Sequence, residues 1–256
     1  MKIAVCELPD GLVTGSSHWL TFLEQVSKLA PDILLLNEMP LGKWLATHKP
    51  PNAEAEQSFL EAHDDLVEQL LGLSCASFGS KPVKGQHKLS NEAFLVANGT
   101  YTAVHHKQYF PQETGWLEQD WFAPSREGFD LVGFGDLRIG ALVCTELMFT
   151  EWARHYGRLG ANLLLVPRAT GSLNTKWRAA GAMAAIVSGC YVASSNRTGT
   201  VAGPDLQSQF GGEGFVFDPD GELIAQTGPG MPVVTVELDL ENVERAKRAY
   251  PVYVSG

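Results

Sequence analysis

The chain has 256 residues, of which 45% are hydrophobic and 19% charged, as in an ordinary globular protein large enough for one big domain or two small ones. These values exclude an intrinsically disordered or fibrous protein and a disulfide-stapled miniprotein. The 19 Lys and Arg residues against 29 Asp and Glu give a net charge of −10, with no basic cluster. Nucleic acid and anionic membranes are therefore not expected partners.

The N-terminal residues run from Met1 into a short apolar segment that ends at Glu7. They lack the apolar core and cleavage site of a signal peptide, and no apolar stretch approaches the ~20 residues of a membrane-spanning helix. We therefore expect a cytoplasmic protein. The cysteines are far apart and form no C-x-x-C pair, which predicts neither a metal site nor a disulfide framework. They are Cys6, Cys75, Cys144 and Cys190.

The first part of the chain alternates strand and helix patterns. Residues 2–8 predict a strand, and apolar residues at helical spacing predict a helix from about Trp19 to residue 29. The continuous apolar run 33–36 is typical of a strand buried on both faces, and it ends at Asn37-Glu38. A helix over 53–71 and a strand over 73–78 follow. Within that helix, Leu71 is predicted to face the interior.

The middle of the chain predicts two strand pairs. An Asn-Gly dipeptide joins strands 92–97 and 101–106, which is a strong hairpin signal, and the second strand leads into Lys107. Residues 108–128 show no clear period and predict a long ordered loop of the kind that is usually functional. Strands 129–134 and 137–143 then deliver Cys144.

The remaining elements complete a single α/β domain. In order, they are a helix over 149–159 with Gly160 as its stop, strand 163–167, helix 174–188, strand 190–194, a hairpin over 214–226, and strand 233–238. Strands alternate with helices in places and form hairpins in others, which predicts a mixed sheet. We expect the domain to cover residues 1–240. Residues 241–256 would then form a tail at the interface with a second copy.

Three polar residues stand where apolar strands end: Glu38, Lys107 and Cys144. Ligands of α/β sheets bind outside the carboxyl ends of the strands. A cysteine there can have its pKa lowered by helix-terminal N–H groups and by a nearby ammonium, here that of Lys107. Glu38 can then act as a general base. The sequence therefore predicts a thiol nucleophile at Cys144.

Five segments in chain order resemble the carbon–nitrogen hydrolase (nitrilase) superfamily over about residues 2–240. They are Leu-Leu-Leu-Asn-Glu-Met-Pro (34–40), His-His-Lys-Gln-Tyr-Phe-Pro (105–111), the cysteine segment 138–151, Gly-Ala-Asn-Leu-Leu-Leu-Val-Pro (160–167), and Gly-Cys-Tyr-Val-Ala-Ser-Ser-Asn-Arg (189–197). The resemblance implies a four-layer α-β-β-α sandwich with mixed β-sheets in a single domain. It also implies a homodimer without metal or cofactor, acting on a small-molecule amide.

The resemblance further assigns roles to the predicted site. Cys144 attacks an amide or nitrile carbon to give a thioester, and Glu38 serves as the base. Lys107 and the backbone N–H of Thr145 hold the oxyanion. A second glutamate after the lysine is expected to be Glu118, with Glu113 as the alternative.

Two residues bear on the substrate. Arg168 follows a buried strand, so it is a candidate pocket residue or, equally, half of a surface ion pair. Family members often carry an arginine at the position of Met148, which would grip a substrate carboxylate, and its loss weakens the case for carbamoyl amino acids.

The sequence leaves several alternative functions open. Within the family they are an N-carbamoyl amide hydrolase and a nitrilase, and outside enzymes a catalytically idle binding protein on the same fold. A Cys-His thiol hydrolase is disfavoured, because His105 and His106 are adjacent in a strand and point to opposite faces.

Overall fold

The structure is a computed structural model that describes residues 1–47, 52–125, 128–172, 174–203 and 206–254. Its strands are β1 (Lys2–Pro9), β2 (Ile33–Leu35), β3 (Ala76–Lys84), β4 (Leu89–Ala97), β5 (Thr100–His106), β6 (Gln112–Glu113), β7 (Trp116–Leu117), β8 (Val132–Phe134), β9 (Leu137–Ala141), β10 (Leu163–Pro167), β11 (Tyr191–Gly203), β12 (Leu206–Gly211), β13 (Phe215–Phe217), β14 (Leu223–Gln226) and β15 (Val233–Glu237). Its helices are α1 (Ser17–Leu29), α2 (Ala53–Leu71), α3 (Glu118–Trp121), α4 (Thr150–Leu159), α5 (Asn174–Ser188) and α6 (Leu240–Lys247).

The strands form two mixed sheets. The first has the order β5-β4-β3-β2-β1-β15, and the second has the order β8-β9-β10-β11-β13-β14. In each sheet parallel strands occupy the centre, β1-β2-β3 in one and β9-β10-β11 in the other, and antiparallel strands flank them. The C-terminal residues of β1 pair with residues 196–198 of β11, which joins the two sheets at one edge.

Three apolar clusters separate the layers. Ile3 and Phe78 of the first sheet belong to the same buried cluster as Ile139 and Leu165 of the second, so the two sheets pack face to face. The outer face of the first sheet packs against α1 and α2, and that of the second against α4 and α5. The predicted four-layer α-β-β-α sandwich with mixed sheets is therefore confirmed.

Helix boundaries follow the sequence signals closely. The Ser16 hydroxyl accepts a hydrogen bond from Trp19 N–H at the start of α1, as a helix N-cap should. Helices α2 and α5 have the predicted bounds. The inner face of α2 differs in one respect, because Leu66 is fully buried whereas Leu71 is exposed. Leu71 is the last residue of the helix, beyond the part that packs on the sheet.

Two strands are longer than predicted. Strand β3 continues to Lys84 and β11 continues to Gly203, each well past its apolar segment. The extra residues of β3 pair with β4, and those of β11 pair with β12. Their backbone hydrogen bonds go to a neighbouring strand, which an apolar pattern does not reveal.

The predicted C-terminal tail begins with a packed helix. In α6, Val243 and Ala246 are buried. Lys247 Nζ donates hydrogen bonds to the carbonyl oxygens of Gly157 (3.1 Å) and Ser188 (2.7 Å), in the last turns of α4 and α5. A lysine at these carbonyls also favours the helix dipoles. Residues 240–247 thus pack on their own protomer.

Among the described residues, no helix combines the length and the apolar character needed to cross a membrane.

Candidate active site

The structure brings together the residues predicted at the strand ends. Lys107 Nζ lies 2.9 Å from Glu38 Oε1 and 2.6 Å from Glu118 Oε2, and all three side chains are almost completely buried. Cys144 is 4% exposed and lines a cavity that also touches Glu118. The strands β2, β5 and β9 deliver Glu38, Lys107 and Cys144 because their carboxyl ends meet at one edge of the sandwich.

Of the two candidate glutamates, Glu118 is the one whose carboxylate contacts Lys107. Glu118 is the first residue of α3, and its Oε1 atom is buried and accepts no hydrogen bond from any residue that the structure describes. Glu113 lies in the short strand β6, exposed, where it lines the cavity instead. The geometry therefore favours Glu118 as the carboxylate that orients Lys107.

Burial and charge shift the pKa values of these groups in opposite directions. Burial by itself lowers the pKa of Lys107, but the carboxylates of Glu118 and Glu38 outweigh it and hold that pKa well above its usual range. Burial raises the pKa of Glu118 to about 7, against the opposing influence of Lys107. Lys107 is therefore a permanent cation at neutral pH.

The expectation that the pKa of Cys144 is lowered is wrong. Burial raises it well above its ordinary value, and the negative charge of Glu38 raises it further, against the opposing effect of Lys107. Two carboxylates surround one ammonium, so a thiolate would add a second uncompensated negative charge to a buried site. Burial and charge therefore favour the neutral thiol of Cys144 over its thiolate.

The turn that begins at Cys144 has an unusual backbone. Cys144 has φ +54°, in the left-handed region that residues other than glycine rarely adopt, and it begins a single 3-10 turn (Cys144–Met148) three residues after the last residue of β9. Such conformations cost about 1–3 kcal/mol and persist only where surrounding contacts hold them. The backbone of Ala169, whose interaction with the Cys144 sulfur lowers the pKa of that thiol, supplies one such contact.

A buried carboxylate supplies others. Glu146 accepts hydrogen bonds from the backbone N–H groups of Val143 and Gln108, each at 2.7 Å, and from His105 Nε2 at 2.9 Å. Val143 directly precedes Cys144 in the chain, and Gln108 directly follows Lys107. Sequence analysis did not assign a role to Glu146. The sequence feature that points to a role for Glu146 is its place two positions after the cysteine, as an acidic residue inside an apolar segment.

Sequence analysis also missed Asn91. Its Nδ2 donates to Glu38 Oε1 at 2.7 Å, and its carbonyl accepts from the Lys107 backbone N–H at 2.9 Å. It therefore contacts two of the three charged residues of the site, Glu38 and Lys107. The hairpin pattern in the sequence begins at Glu92, so Asn91 lies outside the predicted strand.

The structure places Arg168 behind the cavity, neither lining it nor on the surface. Its guanidinium is fully buried and donates to the Ser194 and Thr170 hydroxyls and to the Glu213 carbonyl. Its own carbonyl accepts from the Glu38 backbone N–H at 3.2 Å. The predicted contact between Arg168 and substrate therefore has no geometric basis, and the residue positions the segments around Glu38.

The cavity at Cys144 has a volume of about 200 Å³, below the roughly 300–1,000 Å³ of pockets for drug-sized ligands. Thr145 and Met148 line it, as do Trp116 and Trp177. Within the described part of the chain, no group of His, Cys, Asp and Glu side chains is arranged to hold a metal ion.

The chain is similar to several known proteins. The chain is 26% identical to a 2-oxoglutaramate amidase of Bacillus subtilis (strain 168), over 91% of this chain and 87% of that protein. It is 29% identical to a citrullinase of Francisella tularensis subsp. tularensis, over 88% and 84% respectively. The crystal structure of a carbon-nitrogen hydrolase from Helicobacter pylori G27 has the same fold, with a TM-score of 0.84 at 22% identity over 99% of this chain and 94% of that one. The family model described as carbon-nitrogen hydrolase matches residues 2–248, and the chain therefore belongs to the carbon–nitrogen hydrolase family.

Proposed function

We propose that the chain hydrolyses the C–N bond of a small amide, releasing ammonia and a carboxylic acid, with Cys144 as the nucleophile. The observation that carries this proposal is the state of the Glu38 carboxylate. Lys107 and Asn91 both donate to its Oε1 atom, while Oε2 is buried and accepts no hydrogen bond from the described residues. One oxygen is held in place, and the other is available to take a proton.

In the first step, Cys144 Sγ attacks the amide carbon while its proton passes to Glu38. The raised pKa of Cys144 requires this transfer to accompany the attack, because the thiolate is not stable beforehand. The amide oxygen gains negative charge. Lys107 Nζ and the Thr145 N–H, at the start of the 3-10 turn where backbone donors lack intrahelical partners, stabilise it.

Collapse of this intermediate breaks the C–N bond. Glu38 returns the proton to the leaving nitrogen, ammonia departs, and the acyl group remains on Cys144 as a thioester. Glu38 then removes a proton from water, the hydroxide attacks the thioester carbon, and the carboxylic acid leaves as Sγ takes the proton back. Glu118 keeps Lys107 charged and oriented throughout.

The names of two relatives, a 2-oxoglutaramate amidase and a citrullinase, support a polar amide or ureide as the substrate class. Met148 lines the cavity at the position where an arginine would hold the carboxylate of an N-carbamoyl amino acid. We therefore favour an amide over an N-carbamoyl compound or a nitrile. Product analysis separates them, since carbamoyl hydrolysis also yields carbon dioxide and a nitrile needs two waters to yield its acid.

The test is ammonia release from a panel of small amides by the wild type and by Cys144→Ala, Glu38→Gln and Lys107→Met. Each variant should lose at least ~10³-fold in kcat/KM. Cys75→Ala is the matched control, because Cys75 is half-buried away from the cavity, and it should retain activity. Mass spectrometry of acid-quenched wild type should detect an acyl adduct on Cys144. Full activity of Cys144→Ala would reject the proposal, as would failure of the wild type to hydrolyse any amide.

We also propose that the enzyme is a cytoplasmic homodimer. Leu159 of α4, Met183 of α5 and Tyr253 are exposed apolar side chains on or near the outer helical layer of the second sheet, and a second copy would cover them. Free cysteines are usual in a reducing compartment. Light scattering on the purified chain tests the dimer, and cell fractionation tests the location; a monomer or a secreted protein would contradict the respective proposal.

A further inference from the structure

The cavity at Cys144 is lined by two side chains of opposite charge outside the Glu38-Lys107-Glu118 cluster. They are Glu113, in β6, and Lys176, in the first turn of α5. Neither side chain makes an ion pair or a hydrogen bond with any described residue, and they do not pair with each other. Nearby, Arg178 by contrast does have a carboxylate partner, Glu213, at 4.0 Å.

Among the described residues, the rest of the cavity lining provides no other full charge outside that cluster. Trp116, Trp177, Met148 and Pro111 make much of the wall. Glu118 is engaged by Lys107, which is itself shared with Glu38. A substrate that reaches Cys144 therefore encounters one free anion and one free cation.

These two charges restrict the substrate. Both side chains are exposed, so solvent reaches them when no substrate is bound. A neutral amide gains nothing from either charge, whereas a singly charged amide is attracted by one and repelled by the other. A molecule with an ammonium and a carboxylate on one carbon satisfies both. Lys176 lies in the first turn of α5, where the helix dipole also favours an anion.

We propose that the substrate is a free α-amino acid whose side chain ends in the scissile amide, with its ammonium on Glu113 and its carboxylate on Lys176. This inference rests on the proposed amide hydrolysis at Cys144. It also explains why Met148 can occupy a position where family members often carry an arginine. In this cavity Lys176 of α5 supplies the cation instead. An amino acid carbamoylated on its α-nitrogen has no free ammonium and leaves Glu113 unpaired.

The experiment compares four amides of matched chain length: a neutral aliphatic amide, a dicarboxylic acid monoamide, an ω-amino amide, and the side-chain amide of an α-amino acid. We expect kcat/KM to be highest for the amino acid amide. It should exceed each singly charged amide by about tenfold, equivalent to about 1.4 kcal/mol for each additional matched charge.

Two variants test which side chain binds the carboxylate of the substrate and which binds its ammonium. Lys176→Met should reduce the preference for the amino acid amide over the ω-amino amide by about tenfold, and Glu113→Gln should reduce its preference over the monoamide by a similar factor. Lys84→Met is the control, because Lys84 is exposed at the end of β3 and does not line the cavity. It should leave all preferences unchanged.

Several outcomes would overturn the inference while leaving the proposed function intact. They are equal kcat/KM for the neutral and the amino acid amide, a monoamide preferred over the amino acid amide, and preferences that survive both variants. A failure of the proposed function itself would give a different result. The wild type would then hydrolyse none of the four amides, or Cys144→Ala would be as active as the wild type.

Discussion

His105 and Glu146 form a fully buried pair, with His105 Nε2 2.9 Å from Glu146 Oε2. The other ring nitrogen, Nδ1, faces the Gly128 carbonyl at 3.0 Å, so both ring nitrogens face oxygen acceptors. The same carboxylate accepts from the backbone N–H groups of Val143 and Gln108. The pair therefore connects the segment that carries Cys144 to the segment that carries Lys107.

Replacing Glu146 with Gln should reduce kcat by ~10²-fold with little change in KM. An amide presents an N–H₂ group toward one of the backbone donors, so at least one buried N–H loses its acceptor and the two segments shift. A displacement of about 1 Å at the reacting groups is enough for this loss. Steady-state kinetics on an amide substrate of the wild type measures both constants.

The neighbouring pair His106 and Glu92 provides a matched control. Glu92 Oε2 lies 2.7 Å from His106 Nε2, and both are largely but not fully buried outside the cavity. Glu92→Gln should change kcat less than threefold, because partly exposed ion pairs contribute only ~1 kcal/mol or less to the stability of the structure around them. Equal effects of the two substitutions would show that Glu146 is structural only.

Because the pKa of Glu118 is raised, this residue should favour stability at low pH and activity at high pH. The folded protein holds a proton on Glu118 up to a pKa of about 7, whereas the unfolded chain releases it near 4.5. The contribution of Glu118 to stability is therefore most favourable below pH 4.5 and is lost as the pH rises through 7. Glu118→Gln, which cannot ionise, should unfold at higher denaturant concentration than the wild type at pH 8.

The same substitution should lower activity. At pH 8 the wild type keeps Lys107 between two carboxylates, and Glu118→Gln removes one, so we expect kcat/KM to fall at least ~10-fold. The activity of the wild type should decline as the pH falls through about 7, and this limb should be absent from the variant. A variant that is both less stable and unchanged in its pH profile would contradict the assignment.

The raised pKa of Cys144 predicts that its thiolate does not accumulate in the free enzyme. The ultraviolet absorbance of thiolates, compared between the wild type and Cys144→Ala, should show no titration step for Cys144 below about pH 9, the ordinary value for a cysteine. Glu38→Gln removes one source of negative charge and should move the step to lower pH. A thiolate step near pH 7 in the wild type would restore the pre-ionised nucleophile that the sequence suggested.

A packing prediction concerns Gly157, inside α4. An alanine there would normally stabilise a helix by up to ~1 kcal/mol. Here its Cβ would lie 2.7 Å from the Ser188 carbonyl oxygen and 2.8 Å from Ser188 Cα, at the point where α4 meets α5. We expect Gly157→Ala to lower the free energy of unfolding by about 1–3 kcal/mol.

Gly230 is the matched control for that substitution, because a Cβ there meets nothing within 4 Å. Gly230→Ala should change the free energy of unfolding by less than about 0.5 kcal/mol. Chemical denaturation of both variants makes the comparison, and a neutral Gly157→Ala would mean that α4 and α5 separate easily.

The sequence alone was enough to predict the α/β class, most helix boundaries, and the three strand-end residues Glu38, Lys107 and Cys144. These features depend on local patterns. Apolar periodicity marks the strands and helices, and an Asn-Gly pair marks a hairpin. The carboxyl ends of parallel strands then converge wherever the strands share a sheet, so residues at those ends meet without further specification.

Tertiary structure decided the rest, because burial and through-space charge depend on which segments pack together. The sequence favours Glu118 and keeps Glu113 as an alternative, and in the structure it is Glu118 that reaches Lys107. Cys144 looked like an activated thiolate, but two carboxylates and burial raise its pKa. Arg168 looked like a pocket residue, but its guanidinium turns into the core. Each outcome depends on neighbours distant in the chain, which no local pattern encodes.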